Sequence, residues 1–277
     1  MVALNLACGI YYISNLDWVN VDWEANSPHV QQMNLTNTLR LESESFDFVY
    51  TSHFIEHLTL LQAEMLLKEC YRILSPGGII RIVTPDFEKY CKEYLSQIDS
   101  GNKLNAEFLK STLIDQMVRT TPGGESGAWG KVLENNVDLQ NFKAYWIGSP
   151  QNRKQSLQIA RSITKSLYRK MKQIFKNPQM IKRNLIWKYC KFVGLLYPKW
   201  FRNQHIIFSR PGERHLYLFD FDSLKKLMEI IGFADVIRTS AKATTSLRSD
   251  LHILDLDLDG NPRKGEESMF VEARKQE

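Results

Sequence analysis

Short runs in which apolar and polar positions alternate open the chain, predicting strands near Val2 to Cys8, Trp18 to Trp23 and Val30 to Met33. Only seven residues, Ile10 to Leu16, separate Gly9 from Asp17, too few for an ordinary crossover helix, so one or two helical turns or a plain loop is expected there. A fourth strand, Phe46 to Tyr50, runs into Thr51-Ser52-His53. A helix is then expected through Glu56, His57 and Leu58 and on through Met65 to Leu74, with apolar positions recurring at three and four. Ser75-Pro76-Gly77-Gly78 should end it, because proline cannot continue a helix and glycine accepts the left-handed cap geometry. The fifth strand, Ile79 to Val83, carries Thr84-Pro85-Asp86 at its carboxyl end and completes a βαβ unit.

Past Phe87 the pattern loosens. Helical pieces are predicted over Lys89 to Gln97 and Ala106 to Val118, and the glycines at 123, 124, 127 and 130 with Pro122 read as a flexible loop. Regular structure should resume in a strand-like run from Arg214 to Phe219. A helix from Asp220 to Ile231 follows, opened by an Asp220 cap and closed by Gly232. Strands near Val236 to Thr239 and Met269 to Ala273, joined by a charged loop around Asp255 to Glu267, finish the sheet. No internal repeat is present.

Two strand ends carry the first chemical signal. In an open α/β sheet ligands sit beyond the carboxyl ends of the strands, where a glycine admits close backbone approach and an acid after the next strand can accept two ribose hydroxyls. Gly9 and Asp22 occupy those places. The further glycines of a dinucleotide fingerprint are missing, which argues against a pyrophosphate and for a ribose and adenine without phosphates.

Length and composition set the frame. With 277 residues and 43% apolar content the chain can bury a full core. It begins almost at once with a strand, and no apolar run reaches the roughly 18 residues of a membrane span, so a cytoplasmic protein is expected. Cys8, Cys70, Cys91 and Cys190 lack metal-ligand spacing and read as buried free thiols. The net charge of +5 hides an asymmetry: residues 151–202 hold 14 Lys and Arg and no Asp or Glu, leaving −9 on the rest.

Leu4-Asn5-Leu6-Ala7-Cys8-Gly9, Val19-Asn20-Val21-Asp22, the run from Phe46 to Leu58, Glu69 to Gly78 and Thr84-Pro85-Asp86 stand in one order at the predicted strand ends. In this the chain resembles the class I S-adenosylmethionine-dependent methyltransferases, within them the type 11 enzymes and the methyltransferases assigned to cell-surface polysaccharide clusters. Gly232-Phe233 and Glu272 to Lys275 look like the closing segments. The resemblance implies a Rossmann-like, seven-stranded, mostly parallel α/β sheet with flanking helices and an antiparallel last strand. It implies S-adenosyl-L-methionine as cofactor, held by Leu6, Ala7, Cys8, Gly9, Asp22, Asn34, Leu35 and Ser52. Asn34 offers a donor and an acceptor to an adenine edge, or else simply starts a turn; Leu35 can cover a ring face. Ala7 stands where a glycine is common, Asn5 where many relatives have an acid, and Asn34 where an Asp is frequent.

Methyl transfer to a hydroxyl needs a base for the departing proton. Strand-end position nominates His53, Asp86 and His215. Each has a structural alternative: His53 and Asp86 as helix caps, His215 as a strand residue. His53, Glu56 and His57 share a face if helical, but spacing shows no fourth ligand, and no metal is expected.

The chain thus divides into a cofactor-binding domain, 1–94 and 205–277, and a basic, mostly helical insertion, 95–204. On a helical wheel Ala160, Ile163, Leu167, Met171 and Ile174 oppose Arg161, Lys165, Arg169, Lys172 and Lys176, and Leu185, Ile186, Tyr189, Phe192, Val193, Leu196 and Tyr197 continue the apolar side. Such helices suit an anionic membrane surface, which would place the protein peripherally at the inner face of the membrane through 151–202; they equally suit a cover over the site or a homodimer contact. The expected acceptor is a sugar or other small glycan-related hydroxyl compound. RNA held by the basic insertion is the alternative enzyme reading, disfavoured by the acidic remainder, and a scaffold with a degenerate cofactor site is the non-catalytic one.

Overall fold

The computed structural model describes residues 2–276 apart from 26, 125, 149–177, 210 and 211. Seven strands form one sheet: β1 (Ala3–Leu6), β2 (Trp18–Asp22), β3 (Val30–Gln32), β4 (Phe46–Ser52), β5 (Leu74–Pro85), β6 (Phe233–Thr239) and β7 (Ser268–Lys275). Their order is β3-β2-β1-β4-β5-β7-β6. The first five run parallel, and β7 lies antiparallel between β5 and β6. No helix separates β1 from β2, as the short connection requires.

Side-chain alternation sorts the strands onto two faces. Leu4, Leu6, Val49, Ile80, Ile82, Val271 and Ala273 point to one, against α1 (Leu60–Ile73) and the helix Phe221–Ile231. Ala3, Phe48, Tyr50, Ile79, Val83 and Phe270 point to the other, against Leu251 and Leu254. Being covered on both faces makes β5 almost continuously apolar. The exception is Arg81, 1% exposed, which pairs with Asp255 (2.9 Å) and Glu272 (2.6 Å) on the second face, while Tyr50 Oη donates to Asp255 (2.7 Å).

Several local features differ from the sequence reading. The helix after β4 is broken: Ile55–His57 make one 3-10 turn, and α1 starts afresh behind Thr59, whose hydroxyl accepts from Gln62 N while the Gln62 side chain accepts from Thr59 N. Leu74, not the Pro-Gly-Gly run, ends α1, because pairing with β4 draws residues 74–78 into β5 through a register shift. The stretch read as a glycine loop holds a helix, Ser126–Glu134. Arg214 to Phe219 form no strand; the segment is extended but bonds to a helix and a turn rather than to the sheet. Cys91 and Cys190 are exposed; only Cys8 and Cys70 are buried.

After β5 come α2 (Phe87–Asp99), α3 (Lys103–Val118), α4 (Ser126–Glu134), α5 (Val137–Ile147), α6 (Pro178–Leu196) and α7 (Lys199–His205). Tyr90, Leu109 and Trp146 form a small core among the first of these. The wheel from Ala160 to Ile174 lies outside the described residues. No helix among the described residues is long and apolar enough to cross a membrane.

Candidate active site

At the carboxyl ends of β1 and β4 a cleft of about 350 Å³ opens, lined by Asn5, Ala7, Cys8, Gly9, Ile10, Tyr11, Tyr50, Ser52, His53, Leu254 and Lys264. Its size is in the range of small-molecule sites. One wall is built by the chain's first 22 residues. Gly9 has φ +55, and a Cβ there would meet no atom within 4 Å, so its backbone faces open space. Asp22, at the tip of β2, accepts from Gly9 N (2.9 Å) and Glu24 N (2.9 Å), one bond to each oxygen, which leaves lone pairs on both. Gly9 lines the cleft, whereas Asp22 is not among its lining residues and is tied to it through the bond from Gly9 N.

Asn5, 1% exposed, braces this wall by donating to Tyr11 O (3.0 Å) and Asn20 Oδ1 (3.3 Å), while Asn20 donates to Ile13 O (3.0 Å). Ala7 takes φ +54, a left-handed conformation that costs a residue with a Cβ about 1–2 kcal/mol. Burial, helped by the Asp22 charge, pushes the Cys8 thiol up to about 12, so it stays neutral.

The opposite wall is built from distant parts of the chain. His53, also left-handed at φ +49, follows β4. Its Nδ1 lies 3.3 Å from Glu56 Oε1 and its Nε2 2.8 Å from Ser268 Oγ. Glu56 is fully buried; burial pushes its carboxyl up, but His53, with His57 and His215, together outweigh that and hold it down at about 2. An ionised carboxylate facing Nδ1 keeps the imidazole proton there and turns the Nε2 lone pair toward Ser268. Burial, with Lys264 adding to it, lowers the His53 pKa, so the ring is neutral and able to accept a proton.

The remaining sequence candidates fall elsewhere. Asp86 is not in the cleft lining: it caps α2 by accepting from Lys89 N (3.3 Å) and pairs with Arg238 (3.1 Å). His215 is buried against His57, ring centroids 4.9 Å apart, behind His53 rather than on the cleft wall. Asn34 is exposed and its side-chain oxygen accepts from Thr36 N (3.0 Å) and Oγ1 (2.8 Å), which is the turn alternative. Leu35 and Leu6 are buried in the core, so their side chains offer no surface to a ligand. Ala7, Cys8, Gly9, Ser52 and His53 all line the cleft. Asn5, Ile10, Tyr11, Tyr50, Leu254 and Lys264 join them without having been nominated, the last two from more than two hundred residues downstream of β1, Leu254 on a short helix, His252–Asp255.

Residues 14–82, from just before β2 into β5, match the family model of a methyltransferase domain. Over that quarter of its length the chain is similar to the methyltransferase-domain family. Among solved structures, the chain is similar to a SAM-dependent methyltransferase from Archaeoglobus fulgidus, 13% identical, with 99% of this chain and 85% of that one covered at TM-score 0.39. A protein described as a possible histamine N-methyltransferase, from Thermotoga maritima, is likewise 13% identical, with 99% and 82% covered at TM-score 0.39. Likenesses this shallow say nothing of ligand or acceptor. No match to a curated protein is found. Residues here would suit S-adenosylmethionine: an open cleft, a glycine backbone facing it and, bonded to that glycine, a carboxylate with spare lone pairs at the next strand tip.

Proposed function

We propose that this chain is an S-adenosylmethionine-dependent methyltransferase acting on the hydroxyl of a sugar or other small glycan-related acceptor, with His53 as the base. S-adenosyl-L-methionine, when bound, supplies a methyl group on a sulfonium. Gly9 and Asp22 would hold its nucleoside, and Ala7, Cys8 and Ser52 would border it. The observation that supports an oxygen acceptor is the Glu56–His53 pair at the cleft wall. A neutral imidazole with its other nitrogen held by a carboxylate can take the proton that a hydroxyl loses as the new C–O bond forms, once the acceptor displaces the Ser268 hydroxyl that covers Nε2. The products are the methyl ether, the demethylated cofactor and a proton on His53.

The test is turnover of S-adenosylmethionine with a panel of sugars, lipid-linked glycans and total RNA. Cofactor turnover with a glycan, lost by about 10² or more in kcat in His53→Gln, supports the reading. Turnover with RNA alone, or undiminished activity in that variant, overturns it.

One further observation favours peripheral membrane attachment through the basic insertion. Leu185, Ile186, Tyr189, Phe192, Leu196 and Trp200 are exposed on α6 and α7, interleaved with Lys188, Lys191 and Lys199. Sedimentation with anionic vesicles, absent with neutral ones and abolished by Phe192→Glu with Trp200→Glu, tests it.

A further inference from the structure

Behind His53 the 3-10 turn Ile55–His57 meets the extended segment that carries His215. Glu56, His57 and His215 each bring one ligand atom to within 4.8 Å of the others. Coordination at 2.0–2.2 Å asks for donor separations about 1 Å shorter, within reach of small ring and carboxylate rotations. The three are brought together by backbone bonds that need no ion. Leu216 N and Tyr217 N both donate to Glu56 O (2.7 and 3.2 Å), and His215 N donates to Gln116 O (2.9 Å).

Two polar atoms in this cluster are poorly satisfied in a way a closed core rarely tolerates. His215 Nδ1 is buried with no hydrogen-bond partner, and Glu56 Oε1 is met only by His53 Nδ1, at a long 3.3 Å. An unsatisfied buried polar group costs about 1–3 kcal/mol. His57 Nδ1 lies 2.7 Å from the Arg214 carbonyl, to which it can only donate. Its Nε2 is therefore a bare lone pair, oriented by the outer hydrogen bond typical of a metal-ligating histidine. Glu56 Oε2 is itself steadied by the Thr84 hydroxyl (3.2 Å).

We infer that Glu56, His57 and His215 form a binding site for one divalent transition-metal ion at the back of the active-site cleft. Two imidazoles and a carboxylate suit zinc, iron or manganese better than magnesium or calcium. Three protein ligands leave coordination positions for water or an acceptor oxygen. That last use rests on the hydroxyl-acceptor reading; the site itself does not.

The test uses the full, tag-free chain, stripped with a chelator and titrated calorimetrically with Zn²⁺, Mn²⁺ and Mg²⁺, with no methyl acceptor present. One Zn²⁺ or Mn²⁺ per chain is expected, with Mg²⁺ weaker, and His57→Gln and His215→Gln should each lose about 100-fold in affinity. Circular dichroism and melting in chelator show whether the variants fold; if buried His215→Gln does not, the half-buried His57→Gln decides. Uptake below about 0.1 ion per chain for both transition metals, or unchanged affinity in the folded variants, overturns the site. Because no acceptor enters the titration, its failure leaves the methyl-transfer reading standing, and loss of turnover with intact metal binding counts against that reading alone.

Discussion

The two walls of the cleft are made in opposite ways. The wall at β1 and β2 is local: Gly9 and Asp22 are linked by one 2.9 Å hydrogen bond between residues 13 positions apart, and its chemistry is backbone plus a single carboxylate. The wall beyond β4 is assembled over long separations: His53 meets Ser268 215 positions away, and His57 meets Arg214 157 positions away. Buried charge underlies it, in Glu56 beside the cleft and in the Arg81–Asp255–Glu272 group below Tyr50. A local wall survives small changes elsewhere and suits a constant ligand. A wall held by long-range polar contacts demands the finished fold and suits the reacting end, where a proton must be placed.

The largest effect should come from breaking the distant wall's foundation. Arg81→Ala leaves Asp255 and Glu272 buried without their cation and should cost about 3–5 kcal/mol of stability, read from denaturant unfolding. A loss under about 1 kcal/mol would mean that the charges are not what holds this wall. His53→Gln should then lower kcat by about 10² to 10⁴ while leaving cofactor affinity within about threefold, separating the two walls by function.

A separate effect concerns pH. Burial, with Glu56 nearby, pushes the Glu267 carboxyl up to about 8 from its ordinary 4.5, and its Oε2 has no hydrogen-bond partner. Between these values the folded chain keeps a proton that the unfolded chain gives up. Stability therefore falls as pH rises through that window, by up to about 1.4 kcal/mol per pH unit. Glu267→Gln, which mimics the protonated acid, should flatten the slope in melts from pH 5 to pH 8. The smallest change belongs to the local wall: Ala7→Gly relieves the left-handed strain and should raise stability by about 0.5–1 kcal/mol, net of the entropy glycine adds to the unfolded chain. A loss of stability there would show the Ala7 methyl to be needed for packing.

The same contrast explains what could be read from the sequence. Strand alternation and the Gly9–Asp22 spacing are local properties, so the sheet, its short β1–β2 link and the near wall were legible. Asp220 and Gly232 announced their helix because caps act within a turn. The break before Thr59 was hidden, because Glu56 to Leu58 continue the helical period and only the Thr59–Gln62 capping box interrupts it. Ser126–Glu134 was hidden by its glycines. Asp86 carried a strand-end position that a cap shares, and only Arg238, 152 positions on, shows which role its carboxylate fills. The grouping of Glu56, His57 and His215 had no local signal, since its third member arrives from the far side of the helical segment.

Calorimetric titration with the demethylated cofactor, S-adenosylhomocysteine, puts the central claim most directly to the test. The account predicts one site per chain in the wild type and an affinity about 10- to 100-fold weaker in Asp22→Ala, the scale of hydrogen bonds to a charged group. No binding by the wild type at millimolar ligand, or the same dissociation constant in both proteins, would contradict it.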